Sequence, residues 1–235
     1  PNAPIIPIVN DMASSVNLFD VDDQYFYIQT DKGAPNSKVV IAPLNKPQSE
    51  NWIDLIPEQK EVLSVNTGGG NIFCSYLKDA ITKVLQYDMK GNKIREVVLP
   101  GLGTASGFNG KRKEKTVFYS FSSYTTPSTI YKMDIASGKA EVYKKPTLQF
   151  NSDDYESKQV FYASKDGTQV PMMITYKKGT KLDGSNPTML YAYGGFNVSL
   201  TPSFSIANAV WLENGGVYAV PNLRGGGEYG KKWHD

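Results

Sequence analysis

Apolar and polar residues alternate with period two through most of the first 145 residues. YFYIQT at 25–30 leads to KVVIAPLN at 38–45. NIFCSYL at 71–77 leads to KVLQYDMKGNKI at 83–94, and TVFYSF at 116–121 to TIYKMDIASGKAEVY at 129–143. Side chains that alternate in this way belong on strands. Each unit joins an aromatic-rich strand to a second apolar strand through a polar loop, and turn signals such as DMKGN and IASGK close it. The units start at Tyr25, Asn71 and Thr116, a spacing of about 45 residues that suits one four-stranded propeller blade. Three units do not close a propeller, which takes roughly four to eight blades. The pattern predicts part of a β-propeller in preference to an ordinary β-sandwich.

The character changes near PTLQFNSDDYES at 146–157. QVFYAS and QVPMMITYKKG flank Lys165-Asp166-Gly167-Thr168, and Asp-Gly between alternating runs signals a hairpin. After a polar stretch, TMLYAY at 188–193 reads as a buried apolar strand. SFSIANAVWLENGG reads as a helix, with Ser203 or Ser205 capping its start and Asn214-Gly215 ending it. Ile206, Ala209, Val210 and Leu212 would form its buried stripe. GVYAVPNLR returns as a strand, and strand, helix, strand is the crossover of a parallel α/β sheet. The expected division is 1–145 for the repeats and 146–235 for the α/β part.

Composition narrows the function. Of 235 residues, 40% are hydrophobic and 20% charged, as in a folded globular protein. A net charge of +2 carries no basic excess of the kind nucleic-acid binders show, so nucleic acid is not an expected partner. The one basic run, KRKEK at 111–115, reads as a solvated hairpin loop. Cys74 is the sole cysteine and reads as a buried filler; with one Cys and one His, no zinc site of the usual ligands is expected. No apolar window approaches about eighteen residues, so no membrane span is expected. PNAPIIPIVND at the N-terminus lacks the layout of a signal peptide.

Two glycine-rich loops carry the candidate chemistry, each following a strand of the α/β part, where such sheets bind ligands. Gly225-Gly226-Gly227-Glu228-Tyr229-Gly230 fits the dinucleotide spacing G-x-G-x-x-G, but Tyr229-Gly230 is a poor helix start. The plainer reading is a loop whose glycines permit close backbone approach, held by an Arg224–Glu228 pair. In Tyr191-Ala192-Tyr193-Gly194-Gly195-Phe196-Asn197, the tyrosine hydroxyl of Tyr193 could donate to an oxyanion, and Phe196 could wall a specificity pocket. The alternative for both is ordinary core packing.

At these residues a resemblance emerges. VFYSFSSYTTPSTIYKMD at 117–134, VFYASKDGTQVPMMITYKKGTKLDGSNPTMLYAYGGFN, and GGVYAVPNLRGGGEYGKKWHD closely resemble the prolyl oligopeptidase family of serine peptidases, over roughly residues 115 to 235. The resemblance implies a seven-bladed β-propeller over an α/β-hydrolase domain with a Ser-Asp-His triad that cleaves short proline-containing peptides. It implies that Tyr193 is the oxyanion-hole tyrosine and Phe196 an aromatic wall of the proline pocket, and it implies no metal or organic cofactor. In the family's order the nucleophile and the rest of the triad come after the RGGGEYG segment. The chain is therefore expected to be an interior portion: about three blades plus the first part of the hydrolase domain, with the remainder of the same polypeptide as its partner. His234 belongs to the post-glycine segment and is not expected to be the catalytic base. Family members occur in cytosol and bacterial periplasm, which implies a cytoplasmic or periplasmic placement. Two other readings stay open: a non-catalytic propeller scaffold, and a nucleotide-binding enzyme using the GGGEYG loop.

Overall fold

The structure is a computed structural model that describes residues 5–10 and 12–235. The N-terminal reading above rests partly on residues 1–4 and 11, which lie outside the described residues. Three four-stranded antiparallel sheets follow one another along the chain. The first holds β1 (Val16–Val21), β2 (Tyr25–Thr30), β3 (Lys38–Pro43) and β4 (Ile53–Ile56). The second holds β5 (Val62–Gly68), β6 (Asn71–Lys78), β7 (Ile81–Asp88) and β8 (Lys93–Glu96). The third holds β9 (Thr104–Asn109), β10 (Thr116–Ser122), β11 (Thr129–Asp134) and β12 (Ala140–Lys144). Each is an up-and-down meander in strand order, the form of a propeller blade.

The predicted strand pairs are the two middle strands of each blade. The outer strands β1, β4, β5, β8, β9 and β12 complete them. DMKGN and IASGK do not close the blades; they turn β7 into β8 and β11 into β12. Asp88 organises the first of these turns by accepting from the Lys90 and Asn92 N–H groups at 2.9 and 2.8 Å.

Period-two alternation packs the blades. On β6, Ile72, Cys74 and Tyr76 face the first blade and join Tyr27, Val39 and Ile56 in one core cluster. Phe73 points the other way, into a cluster with Phe108, Val117, Tyr119 and Met133 of the third blade. Phe73, Phe108, Tyr119 and Tyr131 stack in sequence with centroids 4.7–5.3 Å apart. Cys74 is fully buried, as expected of a filler, and burial pushes its thiol up to about 12. The KRKEK segment joins β9 to β10 as a surface loop, yet Arg112 reaches from it to Asp20 at 3.0 Å and to the Val21 carbonyl at 2.9 Å.

The fourth sheet differs. Strands β13 (Tyr155–Ala163) and β14 (Gln169–Lys177) form the expected hairpin about Asp166-Gly167. β15 (Thr188–Leu190), helix α1 (Ile206–Glu213) and β16 (Val217–Pro221) make the expected crossover, since β15 and β16 pair in parallel. The sheet order is β13-β14-β16-β15, with β14 and β16 antiparallel. Two expectations are corrected here. β15 stops at Leu190 rather than Tyr193, and as the edge strand it is exposed rather than buried. In α1 only Ala209 and Leu212 of the predicted stripe are buried, because the helix rests on β14 and β16 along that line alone; Ile206 and Val210 face outward. Ser205 occupies the cap position without a side-chain capping bond.

Blade residues also meet this sheet. Tyr124, from the β10–β11 turn, packs in the core cluster of Tyr155, Met173, Leu212, Tyr218 and Val220. Thr104 donates to the Pro202 carbonyl at 2.8 Å, and the Phe204 N–H donates to Ser122 Oγ at 3.1 Å. No helix among the described residues is long and apolar enough to cross a membrane.

Candidate functional site

The chain leaves β15 still attached to its neighbour, with the Tyr191 N–H donating to the Ala219 carbonyl at 3.0 Å. It then turns sharply. Gly194 takes φ +65°, and Phe196 and Asn197 follow at +51° and +57°. Consecutive non-glycine residues in the left-handed region are uncommon and cost on the order of 1–3 kcal/mol each unless their surroundings hold them there. The Val198 N–H closes the turn onto the Gly195 carbonyl at 3.0 Å.

The second glycine loop supplies the holding contacts. The Asn197 N–H donates to the Gly225 carbonyl at 3.1 Å. A Cβ on Gly225, itself at φ +93°, would lie 2.3 Å from the Gly194 oxygen. A Cβ on Gly226 would lie 2.9 Å from the Val198 oxygen, and one on Gly227 2.6 Å from the Asn197 oxygen. The reverse holds as well, since a Cβ on Gly194 would lie 2.6 Å from Leu223 Cβ. Three successive glycines therefore let one backbone lie directly on another. The three glycines lie against residues 194–199. The glycine N–H groups are also engaged, Gly225 with the Trp233 carbonyl at 2.8 Å and Gly226 with that of Leu223 at 3.3 Å.

Tyr193 sits at the mouth of this turn, 49% exposed, its ring beside Gly195. Phe196 stands 86% exposed at the loop tip. Both are on the surface of the chain rather than in its core, three and six residues beyond the end of β15 and on one loop.

The expected Arg224–Glu228 pair does not form. Arg224 is at the surface and pairs with Asp166 of the β13–β14 turn, also donating to Ser164 Oγ at 3.1 Å. Hydrogen bonds from the Thr168 N–H and then from Arg224 hold the Asp166 carboxyl down at about 2. Glu228 is instead interior, at 1% exposure. Its Oε1 accepts from the Leu200 N–H at 2.9 Å and from Asn222 Nδ2 at 3.1 Å, while Oε2 has no partner among the described residues.

Beyond the loop lies a single helical turn, α2 (Lys231–His234). His234 Nδ1 lies 2.9 Å from the Gly225 carbonyl, so the histidine ties down the glycine loop. Tyr229 donates to Asp79 Oδ1 at 2.7 Å. Asp79 lies on the β6–β7 turn of the second blade, and its carbonyl also accepts from Gln159 of β13 at 2.5 Å. Burial first, and Asp79 second, raise the Tyr229 hydroxyl above its ordinary range. Sequence reasoning named Glu228 as holding the loop but with the wrong partner, and it missed Asn222, Asp79 and Asp166 as partners of these loops.

A family model described as the prolyl oligopeptidase N-terminal β-propeller domain matches residues 1–146, and one for the prolyl oligopeptidase family matches residues 202–235. The chain belongs to the prolyl oligopeptidase family. It is 56% identical over 230 residues to the prolyl endopeptidase of Elizabethkingia meningoseptica, covering 98% of this chain and 33% of that protein. A solved prolyl endopeptidase structure superposes with a TM-score of 0.88 at 43% identity, covering 97% of this chain and 34% of the other. Prolyl oligopeptidase B from Galerina marginata, solved with a peptide substrate for hydrolysis and macrocyclization, superposes with a TM-score of 0.86 at 33% identity, covering 97% of this chain and 33% of the other. The chain thus spans about one third of the length of these relatives. Within the prolyl oligopeptidase family the three sheets are propeller blades, and the mixed sheet is the start of the hydrolase fold.

Proposed function

We propose that this chain is part of a proline-specific serine endopeptidase that hydrolyses short peptides on the carboxyl side of proline. The observation that carries the reading is the match, over nearly the whole chain, to a protein named prolyl endopeptidase. In this reading residues 1–145 are propeller blades and residues 146–235 open the α/β-hydrolase domain. The rest of the same polypeptide supplies the Ser-Asp-His triad, in the cytoplasm or the periplasm.

The chemistry is acyl transfer. The serine oxygen attacks the carbonyl after proline while the histidine takes its proton. Negative charge then grows on the carbonyl oxygen. Tyr193 donates its hydroxyl hydrogen to that oxyanion, and a backbone N–H supplies a second bond. The Tyr193 side chain is half exposed, and among the described residues none accepts a hydrogen bond from its hydroxyl. Phe196 offers an aromatic face to the flat, apolar prolyl ring.

The test uses the native polypeptide that carries this chain. Short peptides should yield products ending in proline, identified by mass. Phe196→Ala should reduce the preference for proline over alanine at the cleaved position by about 10- to 100-fold, the range for one apolar pocket contact. Cleavage without preference for proline would overturn the assignment.

A further inference from the structure

The first glycine loop is strained at Phe196 and Asn197 and stays in place only because other groups hold it. The Asn197 N–H contact to Gly225 is one anchor. The other is at Leu200, where the loop rejoins the body of the sheet. Both backbone polar groups of Leu200 are gripped: its N–H donates to Glu228 Oε1 at 2.9 Å, and its carbonyl accepts from Asn222 Nδ2 at 2.7 Å. The same Asn222 amide donates to Glu228 Oε1 at 3.1 Å, closing the three groups into one network. Asn222 follows directly on β16, and its own N–H is bonded to the Pro171 carbonyl at the neighbouring strand at 2.9 Å. The network therefore transmits the position of a fully buried strand to the far end of the loop.

Glu228 is the costly member. A buried carboxyl with one oxygen lacking a partner among the described residues is unfavourable, and nothing in the packing of three glycines requires an acid there. Leucine or methionine would fill the same volume without that cost. What an apolar residue cannot do is accept from Leu200 and Asn222 together.

We propose that Glu228, through Asn222 and the Leu200 backbone, is a positioning residue that holds the 193–200 loop so that Tyr193 and Phe196 meet the substrate in register. This rests on the function proposed above and deepens it. Glu228 does not itself touch the reacting atoms.

Two measurements test it separately. In the native polypeptide, Glu228→Ala should speed amide exchange at Asn197, Val198 and Leu200 by roughly tenfold or more, while Met173 and Val220 in the core keep their protection. Glu228→Gln retains an acceptor oxygen and should fall between the two, which gives a readout should the alanine variant fold poorly. Unchanged exchange across the loop in both variants would overturn the proposal.

In the native polypeptide, Glu228→Ala should lower kcat by about 10²-fold, the scale expected when a reacting group is misplaced by an ångström. Added to Tyr193→Phe, it should lower kcat little further, because it acts through that hydroxyl. Losses that multiply would mean general destabilisation and would overturn the positioning role. Unchanged kcat despite a loosened loop would overturn it too. If Tyr193→Phe alone leaves kcat unchanged, the proposed role of Tyr193 fails and takes the catalytic half of this inference with it. The exchange experiment still decides whether Glu228 pins the loop.

Discussion

Gly225→Ala is the sharpest probe of how the two glycine loops support one another. At φ +93° an alanine is strained, and its Cβ would sit 2.3 Å from the Gly194 oxygen and 3.0 Å from the Gly194 carbonyl carbon. Both are backbone atoms, so no side-chain rotation can relieve the contact. Strain of about 1–2 kcal/mol and overpacking of about 1–3 kcal/mol together predict a loss of roughly 2–5 kcal/mol. Two controls separate these contributions. Gly167, on the β13–β14 turn, has φ +85° with nothing within 4 Å of an added Cβ, so Gly167→Ala carries strain alone, about 1–2 kcal/mol. An alanine at Gly195 would meet only the Tyr193 ring at 3.7 Å, an ordinary contact, and should change stability by no more than about 0.5 kcal/mol. Urea unfolding followed by tryptophan fluorescence gives the midpoints; Trp233, packed beside the loop with its Nε1 donating to the Leu223 carbonyl, reports on the right region. The slope should stay constant across the set if only stability changes. If Gly225→Ala costs no more than Gly167→Ala, the backbone-on-backbone packing of the loops is wrong.

Two further outcomes follow from contacts between distant segments. The Asp166 carboxyl is held low in the folded chain, so its stabilisation is complete above its ordinary value of about 3.9 and fades as pH falls toward about 2. Asp166→Asn should lower Tm at pH 6, with the gap to the parent closing between about pH 4 and pH 2; a gap independent of pH would show that the charge is irrelevant. Tyr229→Phe removes the half-buried bond to Asp79 that ties the second blade to the glycine loop. It should cost about 1–2 kcal/mol in urea unfolding, and Asp79→Asn in the Tyr229→Phe background should add little. Independent, additive losses would refute a direct contact.

Strands in the middle of each blade were legible because large apolar side chains pack on at least one of their faces. NIFCSYL carries them at both parities, and the structure uses one parity for each neighbouring blade; in TVFYSF Val117, Tyr119 and Phe121 are buried while Phe118 is exposed. The outer strands were not legible. KIRE, IDLI and TASGFN are short, charged or glycine-bearing, and only pairing with a stronger neighbour makes them strands. The same holds for the loops. That YAYGGFN and RGGGEYG follow strands of one parallel pair could be read directly, as could the crossover between them. That the second loop is the bed for the first could not, since glycine spacing says a close approach is needed but not what approaches. The Arg224–Glu228 expectation failed for a related reason. Opposite charges in one loop need not meet: Glu228 turns inward to Leu200 and Asn222, and Arg224 found its partner 58 residues away.

The central claim is that the Tyr193 hydroxyl stabilises charge on the scissile carbonyl oxygen. Its most direct measurement is kcat for a short proline-containing peptide, parent against Tyr193→Phe, in the native polypeptide carrying this chain. Loss of one oxyanion donor predicts a fall of about 10²- to 10³-fold in kcat with KM little changed and the urea midpoint preserved. A Tyr193→Phe enzyme that turns over at the parental rate would contradict the claim.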